Sequence, residues 1–368
     1  MENKEVYRQL SETLAKRGGP YPGMDMPEFY PMAEALFTPA EAAISNLMPE
    51  GIFTLEKLLP KTDMTKDELV ELLKGMAPKG LCFTIEVGGT RYYNGPPFVP
   101  GIMEWQFMHG EVTDEAKKIA KLVHTYMDAV DVVIGSRDKA FPDGRVIPIN
   151  QTVEPGKKVR TYNQIMSYID NNDLISVATC YCRHGAKLLD ENDVCDKPME
   201  VCMQFGPGAK YVEESGVGRV ISKEEAKKII LETEKAGLIH CTMNTQDISF
   251  VCNCCKCHCM GIEMALRNKK PSKHFTSGYK PVPDSDLCVN CGTCVDICPS
   301  EAISFGNEDL LEIKLDRCFG CGLCVGNCEE KAISMTEMEG YNEPPANMEE
   351  LKKMIEATEK EVQKTGQV

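Results

Sequence analysis

Between positions 288 and 328 the chain carries eight cysteines in two matching sets, Cys288-x-x-Cys291-x-x-Cys294-x-x-x-Cys298-Pro299 and Cys318-x-x-Cys321-x-x-Cys324-x-x-x-Cys328. Thiolates bind metals, and this double spacing matches the ligand run for two [4Fe–4S] clusters. Each close triplet wraps three corners of one cubane, and the distant fourth cysteine ligates the other. Cluster I then takes Cys288, Cys291, Cys294 and Cys328, and cluster II takes Cys318, Cys321, Cys324 and Cys298. Gly292, Gly320 and Gly322 let the backbone turn tightly and aim N–H groups at sulfur, because glycine tolerates positive φ. The rival chemistry is a pair of structural zinc sites, since zinc also accepts four thiolates. Zinc fingers pair their cysteines two by two across a long loop, and they have no need of triplets with a three-residue step to a fourth.

A near-copy follows each ligand loop, Glu301-Ala302-Ile303-Ser304 and Lys331-Ala332-Ile333-Ser334, so this part of the chain is an internal duplication. Over roughly residues 276–340 it resembles the two-cluster bacterial ferredoxins. One departure is Glu329, where the family usually repeats the proline found at Pro299; it loosens the backbone after Cys328 and removes no ligand.

A second cysteine field lies upstream. It begins at Thr179-Cys180-Tyr181-Cys182-Arg183-His184 and continues through Cys195 and Cys202. Its densest part is Cys252-Asn253-Cys254-Cys255-Lys256-Cys257-His258-Cys259, five thiols and a histidine in eight residues. Buried cysteine can be mere packing, but consecutive side chains cannot all face one core, so the field reads as metal-binding. Iron–sulfur is favoured over zinc, with one or two further [4Fe–4S] clusters drawn from Cys180, Cys182, Cys195, Cys202, Cys252, Cys254, Cys255, Cys257 and Cys259. Either each cysteine group holds its own cluster, or they fold around one and leave spare thiols for redox work. Arg183 could offset the charge of a thiolate-ligated site. Cys-x-Cys-Arg-His, Gly-Leu-Ile-His and Cys-Asn-Cys-Cys together resemble ferredoxin-fused proteins of anaerobes, a likeness that covers the whole chain and brings no assigned reaction.

The elements that position these ligands follow from the remaining pattern. The expected class is α+β and multidomain. Residues 1–105 read as a winged-helix-like docking domain: helical periodicity over Phe29–Met48, a short helix at Leu55–Leu59, a capping box Thr65-x-x-Glu68, then a hairpin turning at Gly88-Gly89. The third helix mixes Asp67, Glu68 and Glu71 with Lys66 and Lys74, a poor reader of base edges. Pro96–Trp105 is an apolar strap. Residues 106–175 form a linking region: a helix over Asp114–Val130, a β-rich stretch from Val132 to Arg160 with a turn at Pro142-Asp143-Gly144, and a helix over Tyr162–Asp170. The cysteine-rich domain occupies 176–275, with a helix Lys223–Ala236 opened by Ser222-x-x-Glu225 and closed by Gly237. The ferredoxin-like domain occupies 276–340, and a charged helix over Glu349–Lys364 lies within 341–368.

The 368 residues allow two or three domains, and 19 cysteines exceed ordinary composition. A disulfide scaffold is usually shorter and lacks a helical interior. Met1-Glu2-Asn3-Lys4-Glu5 opens a charged helix without an apolar h-region, and no apolar run approaches bilayer length; the chain reads as cytoplasmic, reduced and anaerobic. A net charge of −15 argues against nucleic acid as a partner. It suits an acidic face steering toward a basic redox partner, and also plain solubility. There is no Gly-x-Gly-x-x-Gly after a strand, no phosphate loop, no His-Glu-x-x-His and no Gly-x-Ser-x-Gly elbow. The expected function is therefore a multi-cluster electron carrier serving a redox partner protein or enzyme complex. The alternatives are a redox enzyme with its centre at 180–259 and a redox-sensing regulator. The pattern specifies neither substrate nor oligomeric state.

Overall fold

The computed structural model describes residues 2–134, 141–149, 165–192, 195–307 and 310–365. It is mixed helix and sheet and divides into two compact units, each assembled from separated stretches of chain. The first comprises 1–135, 176–194 and 207–220; the second comprises 136–175, 195–206 and 221–368.

In the first unit, the periodic run beginning at Phe29 is two helices, Phe29–Leu36 and Pro39–Leu47. Thr38 restarts the helix: its side chain accepts from the Glu41 N–H while the Glu41 carboxylate accepts from the Thr38 N–H, satisfying two orphan donors at once. Thr65 and Glu68 build the same box at the start of the helix Lys66–Met76. The hairpin strands Phe83–Val87 and Thr90–Asn94 pair antiparallel, and Phe53–Thr54 adds on the far side of Thr90–Asn94. The apolar strap places Phe98, Val99 and Ile102 in the core ahead of the helix Met103–Met108. The helix Asp114–Ile134 extends through Val132, so the stretch expected to be β-rich begins as helix; 135–140 and 150–164 lie outside the described residues. Tyr126 anchors that helix, donating its hydroxyl to Pro22 O at 2.6 Å and accepting from Met24 N at 3.0 Å.

In the second unit, strands Gly144–Ile147, Ile239–Met243, Phe250–Cys254 and Glu200–Phe205 lie side by side in that order, with antiparallel pairing throughout. The helix Ile165–Asn171 carries the end of the expected 162–170 helix. The helix Lys223–Lys235 is capped by Ser222, which accepts from Glu225 N at 3.1 Å, and ends at Gly237, whose φ of +75° only glycine adopts freely. The chain then forms a small two-sheet domain, and the helix Met348–Thr365 follows. No helix among the described residues is long and apolar enough to cross a membrane.

Candidate metal centres

The duplication in 276–340 is a physical repeat with an offset of 30 residues. Strand Tyr279–Pro283 pairs with Ile333–Glu337, and Ile303–Phe305 pairs with Leu311–Ile313. Asp284 donates to Ala332 O at 2.7 Å, and its counterpart Lys314 donates to Ala302 O at 2.8 Å. Each repeat therefore borrows a backbone partner from the other. The ligand loops carry left-handed residues at the same places: Asn290 (φ 56°) and Gly320 (68°), then Gly292 (82°) and Gly322 (83°), then Glu301 and Lys331 (both 52°). Side chains rarely adopt such angles, and holding them at matched positions means that both loops are shaped for the same task. That task is visible at the fourth cysteines. Ala302 N–H points at Cys298 Sγ and Ala332 N–H at Cys328 Sγ, both at 3.3 Å. Gly320 N–H adds a bond to Cys318 Sγ at 3.4 Å. Such bonds stabilise a negative sulfur.

Cys298 leaves its own loop to join the other repeat's triplet. Together with Cys318, Cys321 and Cys324 it lines a small, partly open cavity, beside Pro281, Ile303, Phe319 and Leu323. Burial pushes the Cys318 thiol up to about 11 and the Cys321 and Cys324 thiols well above their ordinary range. A metal cation would supply the charge that burial withholds from these three sulfurs, and Cys298 stands beside them as a fourth donor. The first triplet differs. Cys291 is exposed, and a hydrogen bond from Thr293 lowers its thiol. Cys294 is buried and raised for that reason.

In the cysteine-rich field, the unbroken run of thiols is sorted by strand geometry. Cys252 and Cys254 are two apart on a strand and share a face. Register sets Cys241 opposite Cys252 and His240 opposite Asn253. Cys254 is the hub of this face, hydrogen-bonded to Cys241, Cys252 and Cys259, and those bonds together with burial raise its thiol well above the ordinary range. Cys259 arrives as the residue that begins the helix Met260–Leu266. On the opposite face a buried polar network joins the strands to their neighbours. Asn253 Oδ1 accepts from Thr233 Oγ1 at 3.1 Å and pairs with His240 Nδ1 at 2.7 Å, while Asn253 Nδ2 donates to Val201 O at 2.6 Å.

The remaining members of the run turn elsewhere. Cys255, Cys257 and His258 converge with Cys195, some sixty residues upstream, and one ligand atom from each lies within 4.8 Å of every other. Cys195 Sγ and Cys257 Sγ are 3.9 Å apart. Burial, then the neighbouring Cys255, pushes the Cys257 thiol up to about 12.

The other expected ligands are placed as follows. Cys202 is buried on Glu200–Phe205, its sulfur accepting from Gln204 Nε2 at 3.2 Å. Cys180 and Cys182 belong to the first compact unit, at the start of the helix Tyr181–Leu189, where Arg183 is buried and His184 Nε2 donates to Glu111 O at 2.9 Å. Two members of the tetrads, Cys241 and His258, were absent from the expected ligands. His258 stood inside the cysteine run; Cys241 could have been found by folding Ile239-His240-Cys241 back onto Cys252-Asn253-Cys254 as a hairpin.

Residues 282–335 match the family of 4Fe-4S dicluster domains. Ferredoxin-2 of Desulfomicrobium norvegicum is 50% identical over 30 residues, which is 8% of this chain and 51% of that protein, so the match spans about half of the relative's length. No solved structure matches the chain. The chain thus carries a ferredoxin-type domain for [4Fe–4S] clusters near its C-terminal end.

Proposed function

We propose that the protein is a multi-cluster electron carrier in which the ferredoxin-type pair exchanges electrons between a partner protein and a third centre at Cys241, Cys252, Cys254 and Cys259. When bound, [4Fe–4S] clusters supply one-electron storage at potentials set by hydrogen bonds to sulfur and by exposure. Cys288, Cys291, Cys294 and Cys328 are assigned to the first of the pair, and Cys318, Cys321, Cys324 and Cys298 to the second. The Cys298 crossing and the cavity it completes support this division.

The observation that carries the reading is the position of Phe275. Its ring meets Phe319, inside the second ligand loop, edge-on with centroids 6.3 Å apart. The ring also abuts Gly261, where an added Cβ would lie 3.4 Å from the ring and 4.0 Å from Cys259 Sγ. A packed bridge of two aromatic residues therefore spans from the second triplet to the third thiol set, all within one compact unit. The first triplet, with Cys291 exposed, is the side offered to the partner. The acidic chain suits a basic docking patch on that partner.

The test is anaerobic iron content and a potentiometric titration followed by paramagnetic resonance. About twelve irons per chain are expected, four for each of three cubanes. Cys298→Ser should abolish the spin–spin splitting of the pair and slow reduction of the third centre by an external ferredoxin. Eight irons, unchanged by Cys259→Ser, would remove the third centre. Undiminished reduction of that centre in Cys298→Ser would break the route.

A further inference from the structure

We infer that Cys195, Cys255, Cys257 and His258 form a mononuclear, redox-inert zinc site, separate from any iron–sulfur centre. The donor geometry separates the two chemistries. Zinc binds thiolate at about 2.3 Å in a tetrahedron, which places its ligand atoms about 3.8 Å apart. Cys195 Sγ and Cys257 Sγ stand 3.9 Å apart, and all four donors fit within 4.8 Å of one another. A cubane binds each cysteine at a different iron on a different corner, which spreads the sulfurs far more widely. These four atoms leave room for one ion and for nothing larger. The set is also mixed, three sulfurs and one imidazole nitrogen, a combination that structural zinc takes as readily as four sulfurs.

The place of the site in the fold explains the choice. Cys195 opens the stretch 195–206 that supplies the strand Glu200–Phe205 to the sheet of the second unit. Cys255, Cys257 and His258 form the turn between Cys254 and Cys259, both in the other thiol set. One ion therefore ties a distant segment to the turn and fixes where Cys254 and Cys259 present their sulfurs. Zinc has no accessible second oxidation state, so the clamp neither stores nor diverts an electron. The dense run is thereby divided: Cys252, Cys254 and Cys259 face one centre, and Cys255, Cys257 and His258 face the other.

The protein purified anaerobically with its metals in place provides the test. It should contain one zinc per chain beside its iron. Zinc-edge X-ray absorption should find three sulfur scatterers at about 2.3 Å and one nitrogen at about 2.0–2.1 Å. His258→Cys should keep the metal and convert the shell to four sulfurs, a change that no purely packing role would produce. Cys257→Ser and His258→Ala should weaken zinc retention against a chelator by more than about 100-fold, the upper end of what outer-shell changes cost. The iron of the ferredoxin-type pair, whose cysteines lie outside this turn, should be retained in both. Absence of zinc in iron-replete protein, a native shell without nitrogen, mononuclear iron at the site, or native-like zinc retention in both variants would overturn the assignment. Each of these results is independent of whether the third iron–sulfur centre exists.

Discussion

The two ligand loops of the ferredoxin-type domain have the same backbone and different surroundings. Left-handed residues, shared strand partners and N–H bonds to the fourth cysteine recur at matching positions in both. Around the first loop the side chains meet solvent: Val289 is 63% exposed, and Asn290, Cys291 and Thr293 are exposed. Around the second they meet protein: Phe319 is 1% exposed, and Gly320, Cys321, Gly322 and Leu323 are buried. The rest of the second unit also bonds to the second loop's backbone. Ser277 N–H donates to Phe319 O at 3.1 Å, its hydroxyl donates to Gly320 O at 2.7 Å, and Ile149 N–H donates to Cys321 O at 3.0 Å. The two repeats thus share one backbone form, the first facing outward and the second bonded into the unit. The difference lies in the residues between the cysteines.

Truncating the residue that follows the first cysteine of each triplet should separate the two loops most strongly. Phe319→Ala removes a fully buried ring from between Phe275 and the ligand cavity, and losses of about 3–5 kcal/mol are usual for such changes. Val289→Ala, at the equivalent and exposed position, should shift stability by no more than about 0.5 kcal/mol. Chemical denaturation of the iron-loaded proteins, followed by loss of cluster absorbance, would measure both. Equal effects would mean that the second loop is not bonded in as described.

A smaller contrast lies one residue further on. Gly320 has φ +68°, and an added Cβ would lie 2.3 Å from both Ser277 Oγ and Tyr279 O. Backbone cannot retreat as a side chain can, so Gly320→Ala should destabilise the domain by about 1–3 kcal/mol. Its counterpart Asn290 already carries a side chain at φ 56°. Asn290→Ala should cost under about 1 kcal/mol, for an αL preference that asparagine tolerates better than alanine. Thermal release of iron in each variant would rank the two positions, and reversal of that order would show that close approach is not what the glycine provides.

The duplication was legible in the sequence because its signals are local: triplet spacing, Gly292, Gly322 and the Ala-Ile-Ser echoes all lie within a few residues of a cysteine. Capping was legible for the same reason at Thr65 and Ser222. It was missed at Thr38, where the apolar period runs on through a Thr-Pro helix restart. The sorting of the cysteine run was not legible. It depends on the register of Ile239–Met243 against Phe250–Cys254, and on Cys195 returning from a distant segment. Nor does the linear order of segments convey that 176–194 and 207–220 pack with the first unit while 195–206 packs with the second. Long-range pairing is set by burial summed over whole sheets, which no short window contains.

The smallest expected effect concerns where an electron rests within the pair. Adding an electron increases negative charge, and a low-dielectric surround disfavours that charge while water stabilises it. Hydrogen bonds to sulfur act in the same sense as water, but here they are nearly balanced: the fourth cysteine of each set receives one N–H at 3.3 Å. Gly320 gives the second triplet one more, and the Thr293 bond to Cys291 matches it in the first. Exposure is left as the larger difference, so the site with Cys288 and Cys291 should have the higher potential. A tenfold preference for the first electron corresponds to about 59 mV for a one-electron couple. Redox titration with paramagnetic resonance would resolve the two steps. Val289→Phe, which covers the outer loop, should bring them closer together. If the buried site instead accepts the first electron, hydrogen bonding outweighs exposure, and Gly320 N–H becomes the feature that tunes the pair.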